Sequence, residues 1–397
     1  VIIYLSGIGT EAKGGCFPET LLDKPATVML SYFHTKEAKN RIDRMKVYMF
    51  GKGAPMRKSI ECCPEVILKN RAYVMLSYFY MEDGSLVDRA DKIRQAAEGN
   101  GSAVFESDEV SCTVHRPLSL FLDSGAFSLW RKHQKESKTV DYSFYRNKVF
   151  KEYITAYVEF VKTYDGIIDL VANADVVPRS PKEGETAARL SMGNFKLLRR
   201  MGLETVPVVH YGTDPKWIGR YQELGCDYVA LGGLVGSIKK PGARRWISQC
   251  FNQYGDVRFH AFGVSNIEAL FAYPWHSVDS AVWDRTSTYG SVLVPKFRGG
   301  QFVLSVNPTM VKITTENPSV RDGSGSHYLS MSKAEQAIIL RWLDEIGVSM
   351  GGGEQAGVST CYRIRRIANL RYFERLQNFL DTMAPPQVKP VKQGFLG

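Results

Sequence analysis

From Leu118 onward, short apolar runs that end in polar or glycine residues alternate with amphipathic segments. The runs are 118–123, 167–175, 205–211, 228–234, 258–264 and 277–283, and they are nearly continuous in apolar character. Such strands are buried on both faces, as in a parallel sheet. Segments 142–164 and 186–201 carry apolar residues at helical spacing, and shorter helical turns are expected at 215–224 and 243–253. Six βα units in a row predict an α/β fold, either a doubly wound open sheet or a closed eight-stranded barrel. No GxGxxG turn follows the first strand, which disfavours a dinucleotide-binding open sheet. Two of the runs bring an apolar stretch to an Asp-Ser pair: Asp123 in Leu120-Phe121-Leu122-Asp123-Ser124-Gly125-Ala126-Phe127, and Asp279 in Ser277-Val278-Asp279-Ser280. Carboxylates at strand ends, far apart in sequence, suggest an active site at one rim of a parallel barrel.

The chain before residue 118 contains a tandem repeat. Ala26-Thr27-Val28-Met29-Leu30-Ser31-Tyr32-Phe33 recurs as Ala72-Tyr73-Val74-Met75-Leu76-Ser77-Tyr78-Phe79, and Cys16, Pro18 and Glu19 recur as Cys62, Pro64 and Glu65. Tyr4, Gly7 and Gly9 match Tyr48, Gly51 and Gly53. Four strands from this duplication plus six later ones are two too many for the common barrel, so one copy is expected outside it. The polar stretch 82–117 is expected to project as an insertion. After Trp283 an irregular region leads to Ser332-Lys333-Ala334-Glu335, a capping box that opens a helix over 334–346. A break at Gly351-Gly352-Gly353 precedes a second helix over 362–383, with Arg363, Arg365, Arg366, Arg371 and Arg375 against Glu374 and Asp381. Of these, Arg363, Arg366, Arg371 and Arg375 spread over about half the helix circumference. They make either a phosphate-facing surface or a solvated outer helix. The tail 384–397 is rich in Pro, Lys and Gly. Three regions result: 1–117 with the duplicated unit and insertion, 118–300 as barrel core, and 301–397 as a basic helical extension.

Composition narrows the class. The 397 residues are 44% hydrophobic and 23% charged, as in globular proteins. No apolar run reaches the roughly 18 residues of a membrane span, so none is expected. The start, Val1-Ile2-Ile3-Tyr4, has no basic n-region or long apolar h-region. Seven cysteines form no CxxC pair and no Cys/His ligand spacing, which points to a reducing, cytosolic setting without structural zinc. Fifty-one basic against 41 acidic residues give a net charge of +10, which suits an anionic partner such as nucleic acid.

Four segments together resemble the tRNA-guanine transglycosylase superfamily. Asp123-Ser124-Gly125-Ala126-Phe127 is similar to the family's Asp-Ser-Gly-Gly-Phe/Tyr, and Gly232-Gly233-Leu234-Val235-Gly236 to its Gly-Gly-Leu-Ala-Val-Gly. Phe262-Gly263-Val264-Ser265 is similar to Met-Gly-Val-Gly, and Val278-Asp279-Ser280-Ala281-Val282-Trp283-Asp284-Arg285 to Phe-Asp-Cys/Ser-Val-x-Pro-Thr-Arg. They fall in the family's order over about residues 115–300. The Cys-x-Cys-x-x-Cys and histidine that bind zinc in the tRNA-modifying members are missing. The pattern looks closest to the DpdA-type branch of phages and bacterial genomic islands, whose members exchange guanine in DNA for a 7-deazaguanine.

The resemblance implies a (β/α)8 TIM barrel, Asp279 as nucleophile and Asp123 as general acid/base. The chemistry needs that pair. Exchanging a base without cutting the backbone requires a nucleophile at the sugar C1′, as in retaining glycoside hydrolysis, and a second carboxyl group to move the purine's proton. Asp123 also fits a turn residue or helix N-cap, and Asp279 a buried ion-pair partner. Asp175, in Ala172-Asn173-Ala174-Asp175, matches the guanine-binding aspartate and is otherwise an N-cap. His210 replaces the family's glutamine and can donate to a purine O6, or is structural. Gly232, Gly233 and Leu234 would bring backbone groups to the 7-substituent, with Ser124 in the same pocket, and Phe127 and Phe262 would sandwich the base or pack the core. Arg285 is a phosphate contact unless Asp284 pairs with it, and Lys296, Arg298, Arg363 and Arg366 add backbone contacts.

The expected function is a cytoplasmic DNA-guanine transglycosylase of a bacterial host cell, using a free 7-cyano, 7-aminomethyl or 7-amidino base. No metal or other cofactor is implied, and a homo-oligomer or partner proteins are compatible with it. A guanine inside a duplex must be flipped out or reached in opened strands. Alternatives are the same chemistry on tRNA, a non-catalytic nucleic-acid-binding subunit, and an unrelated barrel enzyme acting on a phosphorylated metabolite. The lack of a glycine-rich phosphate loop lowers the last.

Overall fold

The computed structural model describes residues 2–5, 72–78, 102–107, 110–115, 118–136, 142–163, 165, 168–280, 282–314, 327–352 and 355–388. Its first strands are β1 (Ile2–Leu5) and β2 (Ala72–Ser77), followed by the antiparallel hairpin β3 (Ser102–Ser107) and β4 (Val110–His115). Then come β5 (Leu118–Asp123), β6 (Ile168–Val171), β7 (Val208–His210), β8 (Tyr228–Gly232), β9 (Arg258–Ala261) and β10 (Ser277–Ser280). Eight of these make one sheet in the order β6-β5-β2-β1-β10-β9-β8-β7, with every neighbouring pair parallel. The two ends of that order are themselves linked. Ala172 and Val206 form a parallel bridge, with Val206 N donating to Val171 O at 2.7 Å and Asn173 N to Val206 O at 2.9 Å.

Of the repeat, residues 72–77 of the second copy supply β2 between β1 and β5. The first copy at 26–33, and Tyr48 with its glycines, lie outside the described residues. The stretch 82–117, expected as a polar projection, contains the β3–β4 hairpin. The sequence of its second strand, Val-Ser-Cys-Thr-Val-His, alternates with the period of two that a strand has.

Helices follow the sheet strands: α1 (Ala126–Glu136), α2 (Lys148–Thr163), α3 (Gly184–Arg200), α4 (Lys216–Gln222), α5 (Pro241–Gln253), α6 (Ile267–Ala272) and α7 (Val282–Thr288). In α2 the buried residues Phe150, Tyr153, Ile154, Tyr157, Val158 and Val161 fall at i, i+3, i+4, i+7, i+8 and i+11, one stripe of a 3.6-residue helix. Asn147 starts it, its Oδ1 accepting from Phe150 N at 2.9 Å. Full burial of an aliphatic side chain such as Ile154 contributes about 1.5–3 kcal/mol. That stripe meets Leu122 and Val171, whereas Val209, Val229, Leu231, Phe259, Ala261 and Val278 pack with the later helices. The opposite face of the sheet has its own core of Phe121, Ala172, Val206, Val208, Tyr228 and Ala230, with Leu170 and Phe262 against it.

The run 277–283 stops being strand at Ser280. Val282 and Trp283 open α7, and the Trp283 side chain is fully buried there. Four short strands follow, β11 (Ser291–Val294), β12 (Lys296–Arg298), β13 (Gln301–Val303) and β14 (Thr309–Lys312), in the region expected to be irregular. β11 pairs with β14 and β12 with β13, the latter through Gly299 and Gly300 at φ 56° and 80°. Two positive φ values in succession are what a tight hairpin turn requires. Helix α8 (Lys333–Glu345) opens on the predicted capping box, and α9 (Tyr362–Asp381) closes the described chain. Buried Asn369 fastens α9, donating to Ser287 Oγ at 2.8 Å, Trp283 O at 3.1 Å and Ser291 O at 3.2 Å and accepting from Leu293 N at 2.7 Å.

Candidate functional site at the carboxyl edge of the sheet

Side chains alternate across a strand, so the face that carries Phe121, Val208, Ala230 and Ser277 also carries the residues two further on. These are Asp123, His210, Gly232 and Asp279. All stand at the carboxyl ends of their strands, and parallel pairing puts those ends on one edge of the sheet. Asp175 follows Ala172 in the segment after β6. The core between the strands thus ends in a layer of polar groups.

Asp279 is 7% exposed. Its Oδ1 accepts a short hydrogen bond from Gly263 N and lies 3.5 Å from His260 Nε2. Gly263 has φ 68°, and a Cβ built on it would lie 2.4 Å from Val235 Cγ2. Glycine is needed there to turn its N–H toward the carboxylate. His260 is fully buried; its ring lies 4.6 Å from that of Phe262 and 5.4 Å from that of Phe121. Its Nδ1 is 2.7 Å from Ser277 Oγ, which is 2.5 Å from the Tyr228 hydroxyl. None of His260, Ser277 and Tyr228 figures among the sequence candidates. The same period-two step that leads from Phe262 back to His260, and from Asp279 back to Ser277, would have found two of them.

Asp123 is half-buried and resembles Asp279 in one respect. Its Oδ2 accepts from the N–H of a glycine with positive φ, Gly125, at 3.2 Å and φ 66°. Helix α2 holds the loops on either side: Tyr153 donates to Ser124 O at 2.7 Å, and Tyr157 to Ala172 O at 2.9 Å and Leu122 O at 3.4 Å. Burial first, and then the charges of Asp123 and Asp175, push the Tyr157 hydroxyl well above the usual phenol range. It stays a donor at every ordinary pH. Helix α3 fixes the segment that carries Asp175, with Ser191 Oγ accepting from Val176 N at 2.8 Å and Asn194 donating to Ala174 O at 2.7 Å.

Asp175 and His210 were each expected to meet a base. They meet each other, His210 Nε2 lying 2.7 Å from Asp175 Oδ2 with both residues buried. His210 Nδ1 is buried and has no hydrogen-bond partner among the described residues. Gly232 explains the fit, since a Cβ there would lie 2.4 Å from His210 Nδ1. Gly233 is exposed at φ 70°. Leu234 differs from expectation: its side chain belongs to the helix-side core, and its carbonyl accepts from Ser237 N and Ile238 N, each at 2.9 Å.

The aromatic pair separates. Phe262 packs against the core at the end of β9, while Phe127 is 38% exposed on α1, stacked on Trp130 at 5.9 Å and 25°. Ser124 is buried, and its Oγ accepts from Ala126 N at 3.4 Å, a turn contact at the start of α1. Arg285, Lys296 and Arg298 are exposed, with Lys296 Nζ donating to Thr309 Oγ1 at 2.9 Å. Helix α9 differs most from the expected phosphate-facing surface. Arg365 is buried and donates to Ser287 O and Val358 O, and Arg366 is buried with its guanidinium 5.1 Å from the Trp283 ring and 5.2 Å from that of Tyr362. Arg371 pairs with Glu374 and Arg375 with Glu345. Long basic side chains here cover aromatic surface, which charge counting along a helix cannot distinguish from solvent exposure. The Arg363 side chain is outside the described residues.

Among the described residues no group of three or more His, Cys, Asp or Glu is placed to hold a metal ion, and no helix is long and apolar enough to cross a membrane. No protein-family model matches the chain, and no curated protein matches it. Fold and site together define an α/β protein with a parallel eight-stranded sheet and three buried or half-buried aspartates at its carboxyl edge.

Proposed function

We propose that this protein is a transglycosylase that exchanges guanine in DNA for a free 7-deazaguanine base, on a sheet closed into a (β/α)8 barrel. The Ala172–Val206 bridge between the two ends of the strand order supports the closed form. One observation carries the activity: Asp123 and Asp279 end strands of the same parallel sheet on the same face, each accepting from the N–H of a left-handed glycine. An Asp279 oxygen attacks the sugar C1′, the bond to the purine nitrogen breaks with its electron pair leaving on the base, and Asp123 gives that base a proton. The incoming base loses its N–H proton to Asp123 and attacks C1′, and the Asp279 carboxylate departs unchanged. The Asp175–His210 pair stands beside this centre as the contact for the base's polar edge. Exposed Arg285, Lys296 and Arg298 supply contacts to phosphate.

The test uses duplex DNA, single-stranded DNA and tRNA with labelled guanine, each incubated with 7-deazaguanine bases. Release of label from DNA and covalent trapping of the polymer are expected. Release from tRNA alone would replace DNA by tRNA. Absence of release from all three would refute the catalytic reading. Asp279→Asn should lower exchange by at least about a thousand-fold, the scale of losing an essential covalent group, and abolish trapping.

A further inference from the structure

We infer that His260 is a positioning residue for Asp279, and that it acts at the end of a one-directional chain running Tyr228–Ser277–His260–Asp279, hydrogen-bonded as far as the imidazole. The chain stands on its own geometry, and its catalytic consequence rests on the proposed function. Its atoms lie at 2.5 Å (Tyr228 hydroxyl to Ser277 Oγ), 2.7 Å (Ser277 Oγ to His260 Nδ1) and 3.5 Å (His260 Nε2 to Asp279 Oδ1). At 3.5 Å the last link is a contact and not a hydrogen bond in this structure; it becomes one when the carboxylate closes on the ring by a few tenths of an ångström. Every link is interior: His260 and Ser277 are fully buried, and Tyr228 and Asp279 are buried.

Proton inventory fixes the direction. A neutral imidazole carries one N–H, and the other nitrogen accepts. If Nδ1 carried the hydrogen, the Nε2 lone pair would face the carboxylate oxygen, two acceptors opposed in a buried site. With the hydrogen on Nε2, His260 directs its N–H at Asp279 Oδ1. Its Nδ1 then accepts from the Ser277 hydroxyl, and Ser277 accepts from the Tyr228 hydroxyl. Ser277 donates forward and accepts from behind, so every dipole in the chain points its positive end at Asp279.

The consequence is mechanical as well as electrostatic. Asp279 Oδ1 receives Gly263 N–H and faces His260 Nε2 at 3.5 Å, and both groups come from β9 or the turn that follows it. Bonded by Gly263 N–H and faced by His260 Nε2, Oδ1 is held in place, which leaves Oδ2 as the oxygen directed at a substrate. The aromatic contacts of the imidazole with Phe121 and Phe262 hold the ring plane that makes this possible.

Two measurements test it. First, in protein labelled with ¹⁵N-histidine, His260 should show the Nε2–H tautomer with Nδ1 unprotonated, and Asp279→Asn should perturb the Nε2 resonance. An Nδ1–H tautomer overturns the chain whatever the enzyme does, because this readout needs no turnover. Second, His260→Phe keeps a buried planar ring without its donor and should lower kcat for base exchange about 10- to 100-fold, the worth of one hydrogen bond to a charged group. KM for the free base should stay within about threefold, because Asp279 contacts the sugar and not the base. His260→Gln, which offers an amide N–H near the Nε2 position, should recover most of the loss. Equal losses in the Phe and Gln variants, or a rise in KM with kcat unchanged, overturn the positioning role. If the parent protein exchanges no base at all, the proposed function fails while the tautomer result still judges the chain.

Discussion

Gly232→Ala is the sharpest single perturbation of this site, because one methyl group meets one named ring. Gly232 is a strand residue without a positive φ, so alanine suits its backbone. On conformational entropy alone the change would stabilise by about 0.4–1 kcal/mol. The added Cβ, however, would lie 2.4 Å from His210 Nδ1, 2.5 Å from Cε1 and 3.2 Å from Val208 Cγ1. The ring is buried and cannot swing into solvent, so either it moves off Asp175 or β8 shifts away from β7. Overpacking of this kind costs about 1–3 kcal/mol. Breaking the 2.7 Å hydrogen bond to a buried carboxylate adds about 1.5–3 kcal/mol. Less the entropic gain, a net loss of about 1.5–5.5 kcal/mol is expected from urea unfolding. A double-mutant cycle isolates the cause. In a His210→Ala background the methyl group has no ring to strike, so Gly232→Ala should become neutral or stabilising. A cycle that closes additively, within about 0.5 kcal/mol, would refute the steric account of Gly232 and the placement of the imidazole against it.

Three further outcomes follow from other parts of the molecule. Asn369→Ala should destabilise by about 2–4 kcal/mol in the same unfolding assay, since it strands the Leu293 N–H and removes three buried hydrogen bonds to α7 and β11. Hydrogen bonds from the Ser332 hydroxyl and then its backbone N–H hold the Glu335 carboxyl below its usual range. A depressed folded-state value means stability that is present above the unfolded value and lost as pH falls through the folded one. Parent protein should therefore exceed Glu335→Gln in stability at neutral pH, and the difference should vanish in acid titrations followed by circular dichroism. Replacing Arg285, Lys296 and Arg298 together by glutamine should weaken DNA binding and reduce the slope of log K against log salt by up to about 0.9 for each phosphate that is no longer neutralised. An unchanged slope would remove these three from the interface.

The parts of the fold legible in the sequence were those in which periodicity and chemistry agree. β5 spans the predicted 118–123, and the Ser332–Glu335 box opens α8 one residue before its expected start. The other sheet strands are shorter than their apolar runs, because the runs continue into loops that pack against helices, as Leu234 and Val264 do. Strands β11 to β14 have three or four residues each, too few for any period to register. Trp283 looked like the end of a strand because a buried tryptophan has the same apolar signature whether it lies on a strand or on α7. At the site, strand-end aspartates were visible as interruptions of apolar runs. The Asp175–His210 pairing was not, since it joins residues 35 apart whose meeting depends on the β7–β8 register and on Gly232.

Two carboxylates with different surroundings offer a physical basis for two roles. Asp279 is enclosed, with Gly263 N–H donating to Oδ1, His260 Nε2 at 3.5 Å from it and a buried hydroxyl chain behind the imidazole. An enclosed carboxylate with a fixed orientation suits in-line attack on a carbon centre, where a misplaced oxygen costs more than a partly solvated one gains. Asp123 lies at the start of a glycine turn, half-exposed, on a loop pinned from below by Tyr153. In the proposed exchange this carboxyl group must reach both the departing and the incoming base, and its partial exposure at the rim leaves it accessible to each. Under the proposed function, exchanging the two roles would put the attacking oxygen on a partly exposed turn, where solvent competes for it, and enclose the carboxyl group that has to serve two bases in turn.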